Sequence, residues 1–300
     1  MVMKNLFFPI WCMALCLSPH IYAQSHSVSI LNATTPTEYH ESYSSSITDT
    51  SNVPVKYPYT EPRDVMWSVI VYETIDLDQK INLPLYFPSD EKMAPVRKSM
   101  FAVIKDAIME GRITQVYDDE YFKNPLSSTE VLSRLEMKGI DQYAMDRLAD
   151  GESLTAADTI TYSVTPDMVT QYRIKGIWYF DKRHSELRYR LLGIAPYSRD
   201  ASGVKAGDDD MVALFWIWYP DARKELDSYT AFNPSNAAQN ISYDDILTAR
   251  RFSSIIYKEE NMYADRAIED YLRANALFQL REGERIKEMI RAFEMNMWVY

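Results

Sequence analysis

Three residue types that catalysis and metal binding commonly draw on are scarce in this chain. Its 300 residues hold two cysteines, four histidines and eight glycines. With so little glycine, neither G-x-G-x-x-G nor G-x-x-x-x-G-K-[ST] occurs, which removes the common phosphate-cradling loops. Cys12 and Cys16 both sit near the N-terminus, so the rest of the chain has no disulfide and no thiolate metal site. His20 shares that segment, and His26 and His40 lie in a polar stretch. Only His184 falls in the part that reads as folded. Zinc centres, Cys–His pairs and Ser-His-Asp triads are hard to build from one histidine. G-x-S-x-G and H-E-x-x-H are absent as well. Cations are also in deficit, with 32 Lys and Arg against 43 Asp and Glu and a net charge of -11. Such a chain repels phosphate backbones, which argues against a nucleic-acid partner.

What is present is an ordinary globular balance, 47% hydrophobic and 25% charged, in a length that suits one or two domains. Met1 to Gln24 reads as a secretory signal: Lys4, an apolar run from Leu6 to Leu17, and the small Ala23 before a cut at Gln24. The run is too short for a membrane anchor. A lipoprotein signal acylated at Cys16 ranks lower, because Leu15 is large for that site. Cleavage removes both cysteines and Lys4, taking the net charge from -11 to -12. Residues 24–62 form a flexible Ser/Thr/Pro-rich leader whose Pro54, Pro58 and Pro62 would let it lie along a partner.

Beyond it the expected class is α+β, in one domain over 63–300. Trp67, Ile70, Val71, Thr74 and Ile75 predict a helix over 64–78. The prolines in 82–88 predict an extended stretch. A helix over 96–110 carries Phe101, Ile104 and Ile108 and ends at Gly111; a strand follows at 113–117. Ser127 and Glu130 mark a capped helix start, as do Ser242 and Asp245 for a helix to about 251. Residues 137–165 give mixed signals. Later helices are expected over 261–280, ending at Gly283, and over 284–293.

The segment 171–193 reads as an antiparallel hairpin. A loop at 181–184 sets Trp178 against Leu187, Gly176 against Tyr189 and Ile174 against Leu191 on an apolar face. The other face sets Lys175 against Arg190 and Ile177 against Arg188. This cationic face is answered by the protein's own carboxylates or by another subunit's. His184 reads as an exposed turn histidine. Residues 212–219 read as a central strand covered on both faces; if one face were open, Trp216 and Trp218 would become interface anchors. Asp208 to Asp210 lack the calcium-loop frame and read as a solvated turn. The apolar end, Trp298-Val299-Tyr300, docks on the core or fits a partner groove.

Several segments then carry a resemblance. They are Asp64 to Ser68, Ile75 to Lys80 running into Asn82 to Pro88, Tyr172 to Lys182, Leu191 to Pro196, Leu214 to Pro220, Arg250 to Ser254 and Lys258 to Arg266. In this order, over 64–300, they resemble the gliding-motility GldN family, also called PorN, of the type IX secretion system. The resemblance implies a periplasmic protein with no known enzymatic activity, cofactor or metal. It implies assembly with a GldK- or PorK-like outer-membrane lipoprotein into a ring of copies beneath the outer membrane. Contact with the periplasmic part of a GldM- or PorM-like motor protein is also implied. A secreted carbohydrate-active hydrolase with a carboxylate pair and a periplasmic solute-binding protein are the competing classes. The candidate interface residues are Lys175, Arg188, Arg190, Trp216, Trp218, Trp298 and Tyr300.

Overall fold

The computed structural model describes residues 53–89, 97–140, 159–206, 210–233, 241–262, 265–273 and 275–298. The expected signal with its Ala23 and Gln24 cut, His26, His40, Asp208, Asp209 and Tyr300 lie outside the described residues. So does most of the region of mixed signals, at 141–158.

In chain order the elements are β1 (Val65–Asp76), the single turn α1 (Leu83–Tyr86), α2 (Met100–Met109), β2 (Val116–Tyr117) and α3 (Ser128–Leu135). Next come β3 (Glu136–Ile140), β4 (Thr159–Ser163), β5 (Gln171–Asp181), β6 (Glu186–Ser198), α4 (Ala201–Ala206), β7 (Val212–Ala213) and β8 (Trp216–Trp218). The last are α5 (Tyr219–Asp227), β9 (Thr230–Ala231), β10 (Ile241–Ser242), α6 (Tyr243–Thr248), β11 (Ile255–Glu259), α7 (Ile268–Tyr271) and α8 (Ala276–Met297). The main sheet runs β11-β1-β5-β6-β8-β2, with β7 also on β6. Its pairs are all antiparallel, and helices flank it, so the class is α+β.

The expected helix over 64–78 is strand β1. The apolar spacing there fits a helix, but it also fits a strand buried on both faces. Val65, Val69, Ile70, Val71, Thr74 and Ile75 are β-branched and favour the pleat. β1 lies between β11 and β5, and Val71, Tyr72 and Glu73 in its middle are all buried. The stretch 82–88 is not wholly extended either. Pro84 occupies the first turn of α1, where its missing N–H costs nothing.

One sheet face carries the main core. Ile75, Tyr172, Ile174, Leu191, Ile194 and Ile217 pack there against α2, α5 and α6. The α2 stripe Phe101, Ile104 and Ile108 is buried as the spacing requires. Ser127 and Ser242 both make the capping boxes read from the sequence.

The hairpin exists, with its register displaced. The loop begins one residue later, so Phe180 pairs with Leu187, Trp178 with Tyr189 and Ile177 with Arg190. A shift of two pairs keeps each side chain on its expected face. A bulge between Gly176 and Lys175 then sets Lys175 opposite Gly193 rather than Arg190. The Tyr189 ring still covers Gly176, reaching it diagonally; a Cβ at position 176 would lie 2.1 Å from the Tyr189 hydroxyl.

The stretch 212–219 is not one strand. β7 and β8 are separated by Leu214 and Phe215, both buried, and Tyr219 already opens α5. The C-terminal helices also differ from expectation. Before α8 begins, the described residues of 261–275 are helical only at Ile268–Tyr271, and α8 runs through Gly283 without ending. A Cβ at Gly283 would lie 2.7 Å from the Ile256 carbonyl oxygen. Glycine is here for close approach, which lets Ile286 and Ile290 reach Val71 and Ile256.

Gly283→Ala therefore tests this contact by the sign of its effect. Helix propensity alone favours alanine by about 1 kcal/mol. Lifting α8 off β11 costs about 1–3 kcal/mol. The variant should melt below the parent in a calorimetric scan; a rise would show that the helix yields without strain.

Candidate interaction surfaces

The cationic face of the hairpin is largely covered. The segment from Asp118 to Asn124 lies over it, held by Asp119, which accepts from the Tyr121 and Lys123 amides and the Asn124 amide group. Lys175 is 8% exposed. Its ammonium donates to the Glu120 carbonyl at 3.0 Å and faces the rings of Tyr72, Tyr121 and Phe122. Lys258 stands beside it over the Tyr72 and Tyr121 rings, bonded to the Glu120 carboxylate and to the Tyr121 hydroxyl at 3.0 Å. Burial pushes the Lys175 pKa down, with the charge of Glu120 opposing it. Burial also acts against Lys258, but its bonds to Glu120 and Tyr121 outweigh that and raise its pKa. A buried ammonium keeps its charge only where rings and carboxylates replace water.

Arg188 is paired with Glu186 and lies 3.6 Å from Asp181. Arg190 reaches the leader: it donates to the Pro58 carbonyl at 2.8 Å and to the Tyr179 hydroxyl at 3.2 Å. Tyr57 sits between two guanidiniums, with Arg223 4.4 Å and Arg190 5.1 Å from its ring centre. β8 joins β6 only at Gly193 and Ile194, and β7 only at Tyr197 and Ser198. The described end of the leader thus packs beside the part of β6 those strands do not reach. Three prolines deny it the amides needed for a ladder of its own.

Trp216 is buried and Trp218 half-buried, and the Phe122 ring meets both edge-on, at 6.5 and 5.1 Å. Trp298, by contrast, is 68% exposed just beyond α8. Leu277, Phe278 and Leu280 at the other end of α8 are exposed too. His184 donates its Nδ1 hydrogen to the Asp181 carboxylate at 2.8 Å in the β5–β6 turn.

Sequence reasoning gave no sign of the cluster around Glu73. Glu73, 1% exposed, accepts two bonds from Arg250 at 3.0 and 2.7 Å and one from Ser254. The Arg250 guanidinium in turn lies over the rings of Tyr189, Trp178 and Phe252. Arg250 and Ser254 stand in one of the resembling segments, but 177 residues separate Glu73 from Arg250, and no spacing rule links them.

Among the described residues no group of three or more His, Cys, Asp or Glu side chains is placed to hold a metal ion. No helix among them is long and apolar enough to cross a membrane. No curated protein matches the chain. A family model described as gliding motility associated protein GldN matches residues 60–299. The chain belongs to the GldN family, which is a component of the gliding-motility and type IX secretion machinery and is not a known enzyme family.

Proposed function

We propose that this chain is a non-enzymatic structural subunit of the type IX secretion and gliding machinery. It is exported by its N-terminal signal and works in the periplasm. There it assembles with a GldK- or PorK-like lipoprotein into a ring under the outer membrane, and contacts a GldM- or PorM-like motor domain. The observation that carries this reading is the family match across 60–299. A ring subunit needs unlike patches that meet head to tail. The exposed candidates are Trp298, the Leu277–Leu280 end of α8 and the β5–β6 turn, with Tyr300 beside Trp298 in sequence. Lys175, Arg188, Arg190, Trp216 and Trp218 already have partners within the chain, so they would shape a contact from beneath it.

Co-expressing residues 24–300 with the lipoprotein and measuring the mass and shape of the purified product tests the proposal. A very large annular particle is the expected product. Two proteins that stay apart, with this one monomeric, would overturn it.

A further inference from the structure

Between the leader and helices α5 and α6 lies an open cleft of about 510 Å³, walled by Val53 to Val55 on one side and by Arg223, Asp227 and Asp244 on the other. Asp245 and Ala249 also line it. The carboxylates there outnumber the cations. Arg223 is committed to Asp244, by two bonds of 2.9 and 2.7 Å, and the Tyr219 hydroxyl adds a third. Asp245 is spent on the Ser242 amide and has no cationic partner among the described residues. Asp227 is 4% exposed, and one of its carboxylate oxygens has no hydrogen-bond partner. Burial raises its pKa, the Ser242 hydroxyl works against that, and the charges of Asp244 and Asp245 add to the rise. A buried carboxylate without a full set of partners is costly to keep. A partner's cation arriving in the cleft would supply what is missing.

The same chain displays a matching group elsewhere. At the β5–β6 turn, Lys182 to Glu186 are five consecutive exposed residues. The side chains of Lys182 and Arg183 make no ion pair among the described residues. Their backbone, however, is fixed: the Lys182 amide donates to the Asp64 carbonyl at 2.8 Å and the Arg183 amide to Asp181 at 2.9 Å. This is a firmly presented pair of cations with no carboxylate paired to it among the described residues.

We propose that the Lys182–Arg183 tip of one copy seats in the Asp227–Asp245 cleft of the next copy. The contact joins unlike patches, so repeated copies propagate head to tail, as the ring of the proposed function requires. It rests on the ring-subunit reading and names one of the contacts that reading requires. Opposite charges across the cleft also favour the correct pairing over others. The cleft volume falls in the range of sites that bury small groups.

Ala249→Cys tests the contact, because residues 24–300 contain no cysteine. A short thiol-to-amine crosslinker is applied to the product of co-expression with the lipoprotein. Equal amounts of isotope-labelled and unlabelled copies are present. The expected result is mixed-isotope peptide pairs joining Lys182 to position 249. Their yield should fall at least tenfold with Arg183→Glu, and likewise with Asp227→Asn combined with Asp245→Asn. Asp227→Asn alone should move two readouts in opposite directions. Because the folded chain holds this proton above the ordinary carboxylate range, the parent loses stability as pH rises through that window. The amide does not titrate, so the variant should melt higher than the parent at pH 7 and show no gain below the ordinary carboxylate range, yet cross-link less. A purely structural Asp227 would raise the melting temperature and leave the cross-link unchanged, which overturns the inference. A large particle without mixed-isotope pairs overturns it too and leaves the ring reading standing; a monomer that ignores the lipoprotein removes both.

Discussion

Arg250→Met should lower the melting temperature by roughly 10 °C while leaving the far-ultraviolet circular dichroism unchanged at low temperature. The substitution strands the Glu73 carboxylate, 1% exposed in the parent, with Ser254 as its remaining partner among the described residues. Stranding one member of a buried pair costs about 3–5 kcal/mol. For a domain of this size each kcal/mol shifts the midpoint by about 2–4 °C. The guanidinium also spans the rings of Tyr189, Trp178 and Phe252, and the methionine stem retains part of that packing. Adding Glu73→Met should recover most of the loss, because removing both charges removes the desolvation cost as well. A double variant no more stable than Arg250→Met would show that the rings, and not the ion pair, set the energy.

Lys175→Glu is the second large effect, and it separates a buried role from a surface one. If the hairpin face were open, reversing this charge would alter partner binding and leave folding alone. In the structure the side chain is 8% exposed, enclosed by three rings and bonded to the Glu120 backbone. A carboxylate there would stand among Glu120, Glu260 and Asp265, whose charges at present favour the ammonium. The expected loss is about 3–5 kcal/mol, read as a melting temperature about 10 °C lower. Lys182→Glu, on the exposed turn, should change stability by less than about 0.5 kcal/mol. Equal melting of the two variants would mean that the segment over Lys175 lifts away at no cost.

Much of the fold was legible where the signal was local. The capping boxes at Ser127 and Ser242 need only residues three apart, and the α2 stripe needs only helical spacing. Alternation in 171–193 identified the hairpin and kept its faces, although the loop begins one residue later than expected. Spacing misled at β1, where an apolar run buried on both faces carries no period of two. It misled again at Gly283, where a glycine placed for contact with β11 looks like one placed to end a helix.

By itself the sequence determined the α+β class, the caps, the hairpin and the family, because each is written in short-range patterns or in the order of many short segments. The tertiary structure alone decided that Glu73 meets Arg250, that Glu120 and three rings enclose Lys175, and that Asp227 faces a cleft beside the leader. Each of these joins residues far apart in the chain. Their meeting depends on register, on a bulge and on the path of a loop, none of which leaves a periodic trace. The free energy of a buried charge is set by what surrounds it in space, and sequence neighbours supply little of that.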